Sequence, residues 1–204
     1  MDHRLIRSNS RYMLKGKLLN MWLPFIIVEL ISIPFVLIIY YITEKGSTLE
    51  LILSTITSLL LMPLSVGVYE YYLDVVRGKD ASLKSLFGYF SRFGTILIAM
   101  ITIGILACLG FMALFIPYII IILMYSQIFY VIVDKPEYGP FKCLKESREL
   151  MKGYKFDYLL FNIKFIGWIL LTILTAGIAG IYVIPYMTLA QTKYYDNLVE
   201  LKKN

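Results

Sequence analysis

Two charged side chains stand inside long apolar stretches of this sequence. Glu29 lies in FIIVELISIPF, and Lys164 lies in DYLLFNIKFIGWILLTIL. A charge in the hydrocarbon layer is unfavourable unless it is paired, hydrated or, for a carboxylate, protonated. The two depths differ by only about 6 Å at 1.5 Å per helical residue, so the pattern predicts an ion pair or a hydrated polar site. The alternative is that the lysine extends back to the headgroups and forms no pair.

Amide side chains also occur within the apolar runs, where they are typical of hydrogen bonds between membrane helices. A proton-coupled transporter would use such groups together with the carboxylate and the lysine. The predicted intramembrane polar site therefore consists of Glu29, Lys164, Asn162, Gln127 and Gln191.

Residue sets for catalysis or metal binding are not evident in the sequence. His3 is the single histidine, and Cys108 and Cys143 have no histidine or cysteine at metal-ligand spacing. The one deep carboxylate, Glu29, has no second carboxylate clearly at its level, as intramembrane acid–base chemistry would require. We therefore predict a protein that is not an enzyme and that uses no cofactor and no metal.

The composition is that of an integral membrane protein. Of 204 residues, 59% are hydrophobic and 17% are charged, and the mean hydropathy is +0.72. A soluble domain carries about 25% charged residues, so much of the surface must face lipid. The net charge of +6 is spread between the apolar runs, which argues against nucleic-acid binding.

Six apolar segments predict an all-α transmembrane bundle in which three helical hairpins form a single domain. Short amphipathic cytoplasmic helices separate the hairpins. The predicted order is a basic arm (1–17), hairpin 1 (18–76), an amphipathic helix (77–92), hairpin 2 (93–133), a second amphipathic helix (134–157), hairpin 3 (158–198) and a tail (199–204).

The basic residues predict the orientation. Of the 20 lysines and arginines, all but Lys45, Lys164 and Lys193 fall in the arm, the inter-hairpin segments or the tail, and Lys193 lies at the tail end of hairpin 3. Since lysine and arginine are enriched in cytoplasmic segments, both termini are expected in the cytoplasm.

Two amphipathic patterns predict contact with the membrane surface and with anionic lipids of the inner leaflet. One is a basic stripe in the N-terminal arm, and the other is an apolar stripe before hairpin 2. The residues concerned are Arg4, Arg7, Arg11 and Lys15 in the first and Leu83, Leu86, Phe87 and Phe90 in the second.

Four short motifs in the C-terminal third, LKESRELMKG, FIGW, IPYM and YY, resemble the bacterial membrane family known as domain of unknown function 975. The resemblance implies a polytopic protein of the bacterial cytoplasmic membrane with no assigned reaction. The family pattern carries a small polar residue where this chain has Lys164. The motif residues carried over are Gly153, Phe165, Gly167, Trp168, Pro185 and Tyr186.

Two functions are consistent with these features. The first is non-enzymatic binding, either as an accessory subunit of a membrane complex or as an immunity protein against a membrane-active peptide or toxin. The second is a small proton-coupled transporter that uses Glu29 and Lys164. The expected partners are the lipid bilayer and either another membrane protein or a membrane-active peptide, and a homo-oligomer stays open.

Overall fold

The computed structural model describes residues 1–113 and 115–203, and over these residues the chain forms helices and turns without strands. The prediction of an all-α protein is therefore confirmed. The helices, in chain order, are α1 (His3–Leu14), α2 (Leu18–Ile42), α3 (Thr48–Val76), a 3-10 helix (Leu83–Arg92), α4 (Phe93–Ala113), α5 (Phe115–Tyr125), α6 (Ile128–Asp134), α7 (Pro140–Leu150), α8 (Lys155–Ile163), α9 (Ile166–Leu174) and α10 (Gly180–Lys203).

Among the described residues, five helical segments are long and apolar enough to cross a membrane, which indicates a membrane protein. Helix α10 is not one of these segments, because polar and charged residues fill its second half. The predicted arrangement of six spans in three hairpins is therefore not confirmed. The five segments are Leu18–Ile42, Thr48–Val76, Leu83–Ala113, Phe115–Asp134 and Lys155–Leu174.

The buried core lies at one end of the two long hairpins, α2–α3 and α4–α5. This end is opposite the hairpin turns and is called the base below. The buried residues of α3 all lie between Pro63 and Val76, and α10 packs here with buried residues from Val183 to Leu198. Apolar surface as extensive as that near the hairpin turns is favourable in lipid rather than in water. The exposed side chains near the turns include Leu37, Ile38, Leu51, Ile52, Leu109, Phe111 and Ile116.

The 3-10 helix replaces the amphipathic helix that was predicted to present Leu83, Leu86, Phe87 and Phe90 to the membrane. With three residues per turn, Leu83, Leu86 and Tyr89 share one face, and this face packs on the core. Phe87 and Phe90 lie on another face and are exposed. The predicted stripe is thus split, and only its two phenylalanines are available to a membrane surface.

The third hairpin, α9–α10, is much shallower than the first. Trp22, near the start of α2, donates its indole N–H to the carbonyl oxygen of Ile181 at 2.7 Å. Ile181 closely follows the α9–α10 turn, whereas Trp22 lies about 30 Å from the α2–α3 turn at 1.5 Å per residue. The tip of the third hairpin therefore lies near the base of the first one, in agreement with the 9-residue length of α9.

Candidate functional site

Lys164 belongs to a polar cluster that the N-terminal helix completes. Its ammonium lies 2.7 Å from His3 Nδ1, and His3 Nε2 lies 3.0 Å from Asp157 Oδ1. Tyr194 donates its hydroxyl to Asp157 Oδ2 at 2.8 Å. Because an ammonium can only donate, His3 Nδ1 accepts from Lys164, and the Nε2–H donates to the carboxylate.

Helix α1 holds His3 in this cluster. The Asp2 carboxylate caps the helix by accepting from the backbone N–H groups of Leu5 and Arg4, and these bonds lower the pKa of Asp2 below its usual range. One face of α1 is buried, and the helix packs mainly along α10. The buried residues of this face are His3, Ile6, Ser10 and Leu14.

The position of Lys164 also depends on a break in its own helical segment. Helix α8 ends at Ile163 and α9 begins at Ile166, so Lys164 and Phe165 form the turn between them. The lysine side chain is exposed overall, and its ammonium is directed toward His3. His3 in turn contacts Asp157, which lies about two turns before Lys164 in the chain. This direction agrees with the tilt of helical side chains toward the helix N-terminus.

The predicted ion pair between Lys164 and Glu29 is not found. Among the described residues, Glu29 has no basic group within 4.0 Å, and its carboxylate lies 3.4 Å from Ser32 Oγ. Glu29 instead lines a cavity of about 320 Å³ between α2, α3 and α10. The ion pair does not form because the ammonium of Lys164 is directed to His3 in α1. The spacing of residues in the sequence does not reveal that α1 packs there. The other polar residues that line the cavity are Ser65, Tyr69, Thr188 and Gln191.

The three amides of the predicted polar site fall in two places. Gln191 lines the Glu29 cavity and donates to Asn162 Oδ1 at 3.1 Å, and Asn162 donates to the carbonyl oxygen of Tyr158. Gln127 is fully buried between α5 and α6, where it donates to Ser126 Oγ at 2.9 Å. The structure thus joins Glu29, Gln191 and Asn162 in one region, whereas Gln127 does not line the Glu29 cavity.

The motif residues Trp168 and Tyr186 form a surface against which Arg11 of α1 packs. The Arg11 guanidinium carbon lies 5.4 Å from the centroid of each ring, within the range of cation–π attraction. The remaining motif residues lie in or near α8, α9 and α10. Phe165 is fully buried in the α8–α9 turn, and Pro185 lies inside α10. Gly153 adopts a φ of 86° before α8, and Gly167 has open space around it.

A second charged network joins the ends of α3, α6 and α10. Arg77 contacts both oxygens of Asp134, the second at 2.8 Å from its Nη2, and donates from Nε to Asp196 Oδ1 at 3.0 Å. Tyr195 donates to Asp134 Oδ2 at 2.8 Å, and Lys193 donates to Asp196 Oδ2 at 3.1 Å. The contact with Asp134, followed by that with Asp196, raises the pKa of Arg77 above its usual value.

This network forms part of the wall of an open groove of about 740 Å³ at the base of the hairpins. Sequence reasoning missed it, although its members stand at corresponding places: Arg77 directly after α3, Asp134 at the end of α6 and Asp196 late in α10. The other charged residues that line the groove are Lys135, Glu146, Lys193, Glu200 and Lys202.

Replacing Lys164 with methionine is expected to loosen α1. The change removes the donor to His3 Nδ1, and loss of a charge-assisted bond shifts a local opening equilibrium by about tenfold or more. Tryptic cleavage at the arginines of α1 should accelerate accordingly in the detergent-solubilised protein. Lys155→Met, which removes the same charge from the start of α8, is the control and should cleave at the unchanged rate. Equal rates for both variants would contradict a role of Lys164 in holding α1.

These features define a helical membrane protein with two long apolar hairpins above a polar, tightly packed base. Over the described residues, no group of three or more His, Cys, Asp or Glu side chains could hold a metal ion. Residues 103–202 match the model of the family described as Protein of unknown function (DUF975), and the chain belongs to this family. The predicted resemblance is confirmed, and all four motifs lie within the matched residues. No curated protein and no solved structure matches the chain.

Proposed function

We propose that this protein acts by binding, without catalysis, as an accessory subunit of a membrane complex or as an immunity protein against a membrane-active peptide or toxin. The observation that carries the proposal is the open groove at the base of the hairpins. The groove presents charges of both signs on walls fixed by the Arg77 network. A rigid surface of mixed charge is suited to recognising a partner of complementary charge.

We further infer how the chain lies in a bacterial cytoplasmic membrane. The hairpin α2–α3 and the hairpin that α4 forms with α5 and α6 cross the bilayer, and α9 with the start of α10 enters it only part of the way. The apolar segment Lys155–Leu174 does not cross in this arrangement, because the α9–α10 turn that follows it lies near Trp22, close to the start of α2. This arrangement replaces six full spans with four crossings and one shallow hairpin. It keeps both termini and the groove on the cytoplasmic side, as the basic residues favour. Reaction of single cysteines at Leu174 and Lys45 with an impermeant thiol reagent tests it: only Lys45→Cys should react from outside.

The Glu29 cavity supports a second candidate, a small proton-coupled transporter. A carboxylate that faces a cavity of about 320 Å³ with hydroxyl and amide neighbours could bind a proton or a small cation. Lys164 has no part in this version, because its ammonium contacts His3.

Growth of cells with and without the gene, across a panel of membrane-active peptides, toxins and small cations, tests both candidates. Glu29→Gln is the informative variant, and Glu44→Gln, in the exposed α2–α3 turn, is its control. If the protein acts by binding, cells should stay protected against the peptide or toxin with either Glu29→Gln or Glu44→Gln. Protection lost only with Glu29→Gln would support the transporter instead, and absence of any protection would contradict both the immunity and the transport versions.

A groove variant provides the complementary test. Glu146→Lys combined with Glu200→Lys makes the groove strongly basic without altering the members of the Arg77 network. Binding predicts that protection is lost although the protein is still inserted and folded. Unchanged protection would show that the groove has no part in the function.

A further inference from the structure

Helix α1 carries a groove lined by arginines. Arg4, Arg7, Ser8 and Arg11 stand at i, i+3, i+4 and i+7 and line a shallow cavity of about 190 Å³. Among the described residues, no carboxylate lies within 4.0 Å of these three guanidiniums. Three neighbouring cations without acidic partners repel one another, so the groove is suited to a bound anion.

The groove is held in a fixed position by the rest of the protein. Arg7 donates from Nε to the carbonyl oxygen of His3 at 3.3 Å, and His3 is anchored by Lys164 and Asp157. Arg11 packs against Trp168 and Tyr186. An anion would therefore meet side chains that are already partly ordered, which lowers the entropic cost of binding.

The apolar hairpin beside the groove indicates where this anion would come from. Helix α9 has no buried residue, and its 9 residues span about 14 Å, roughly half of the hydrocarbon thickness. Tryptophan is enriched at the lipid–water boundary, and the partly exposed Trp168 lies in the first turn of α9, where the hairpin leaves the packed base. The exposed apolar side chains of the hairpin include Ile166, Ile169, Leu170, Ile173, Leu174, Ile178 and Ile181.

We propose that the α1 groove binds the phosphate of an anionic phospholipid in the leaflet that the α9–α10 hairpin enters. Guanidinium groups bind phosphate oxygens in a bidentate manner, and the hairpin supplies contact for the acyl chains. This site rests on the membrane location proposed above and is independent of whether the protein binds a partner or transports a solute.

Native mass spectrometry of the full-length protein in detergent, with phosphatidylglycerol or phosphatidylcholine added, tests the site. The wild-type protein should retain phosphatidylglycerol in preference to phosphatidylcholine. The variant Arg4→Gln/Arg7→Gln/Arg11→Gln should bind it on the order of 100-fold more weakly, given the usual contribution of each arginine near anionic lipid. The control Lys79→Gln/Lys84→Gln/Lys152→Gln removes the same charge elsewhere and should bind like wild type.

Three results would overturn the proposal. Equal losses in the two glutamine variants would show that net charge alone matters. Inorganic phosphate that binds with the same arginine dependence, and displaces the lipid, would assign the groove to a soluble anion. If the arginine variant does not fold, Arg4→Lys/Arg7→Lys/Arg11→Lys keeps the charge but loses the bidentate geometry, and undiminished lipid retention would then be the contrary result. Because purified protein is measured, failure here is distinct from loss of protection in cells.

Discussion

Arg77→Ala is expected to lower the free energy of unfolding by about 3 kcal/mol, as for loss of one partner from a largely buried ion pair. Arg77 is 25% exposed, and Asp134 and Asp196 are 14% and 12% exposed. Within the part of the chain that the structure describes, Asp134 without the guanidinium keeps only the Tyr195 hydroxyl, and Asp196 keeps only Lys193. Unfolding of the protein in mixed micelles, followed by circular dichroism, measures the loss.

A double-mutant cycle distinguishes this effect from a general loss of charge. Arg77→Ala combined with Asp134→Ala should cost less than the sum of the two single changes, because no carboxylate is left facing a missing partner. Lys79→Ala, two residues further along in an exposed segment, is the control and should change the stability by less than about 0.5 kcal/mol. Strict additivity in the cycle would contradict the network as an energetic unit.

Gly67→Ala is expected to be about as damaging, with a loss of about 3 kcal/mol in the same unfolding experiment. A Cβ atom at Gly67 would lie within van der Waals overlap of Leu86 Cα and 2.7 Å from the carbonyl oxygen of Ser85. Both are backbone atoms of the 3-10 helix, so α3 and that helix would have to move apart. Leu86 is fully buried, and the separation would open the core at this point.

Two further variants make the Gly67 prediction specific. Gly104→Ala adds the same methyl group to α4 at a position with open space around it, and it should be neutral or stabilising by about 1 kcal/mol, as expected for a helical glycine. Adding Leu86→Ala to Gly67→Ala should give no rescue, because the close atoms belong to the backbone. A tolerated Gly67→Ala would mean that the two helices are further apart than the structure has them.

The difference between predicted and observed sites has a physical pattern. Hydropathy sums over some 20 residues, so the sequence correctly indicated long apolar helices even where single positions were misread. The stripe at Leu83, Leu86, Phe87 and Phe90 was wrong because period 3.0 and period 3.6 are hard to separate over ten residues. The tighter 3-10 turn is accompanied by close packing of the Leu86 backbone on Gly67, which lies 19 residues earlier in the chain.

The polar clusters depend on contacts that are distant in sequence. Lys164 and His3 are 161 residues apart, and Arg77 is 57 residues from Asp134 and 119 from Asp196. The local signals were that His3 begins an amphipathic segment and that Arg77 follows α3, Asp134 ends α6 and Asp196 lies late in α10. Neither signal specifies a partner, because one charge can pair with any opposite charge that the fold brings near.

The sequence by itself determined the helical class, the membrane character and the family, since these follow from composition, the lengths of apolar runs and short motifs. Only the tertiary structure decided that Lys164 bonds to His3, that Glu29 faces a cavity and that the third hairpin is shallow. These outcomes depend on which helices pack together and at what level. Packing is set by the summed complementarity of many side chains, and no single spacing in the chain encodes it.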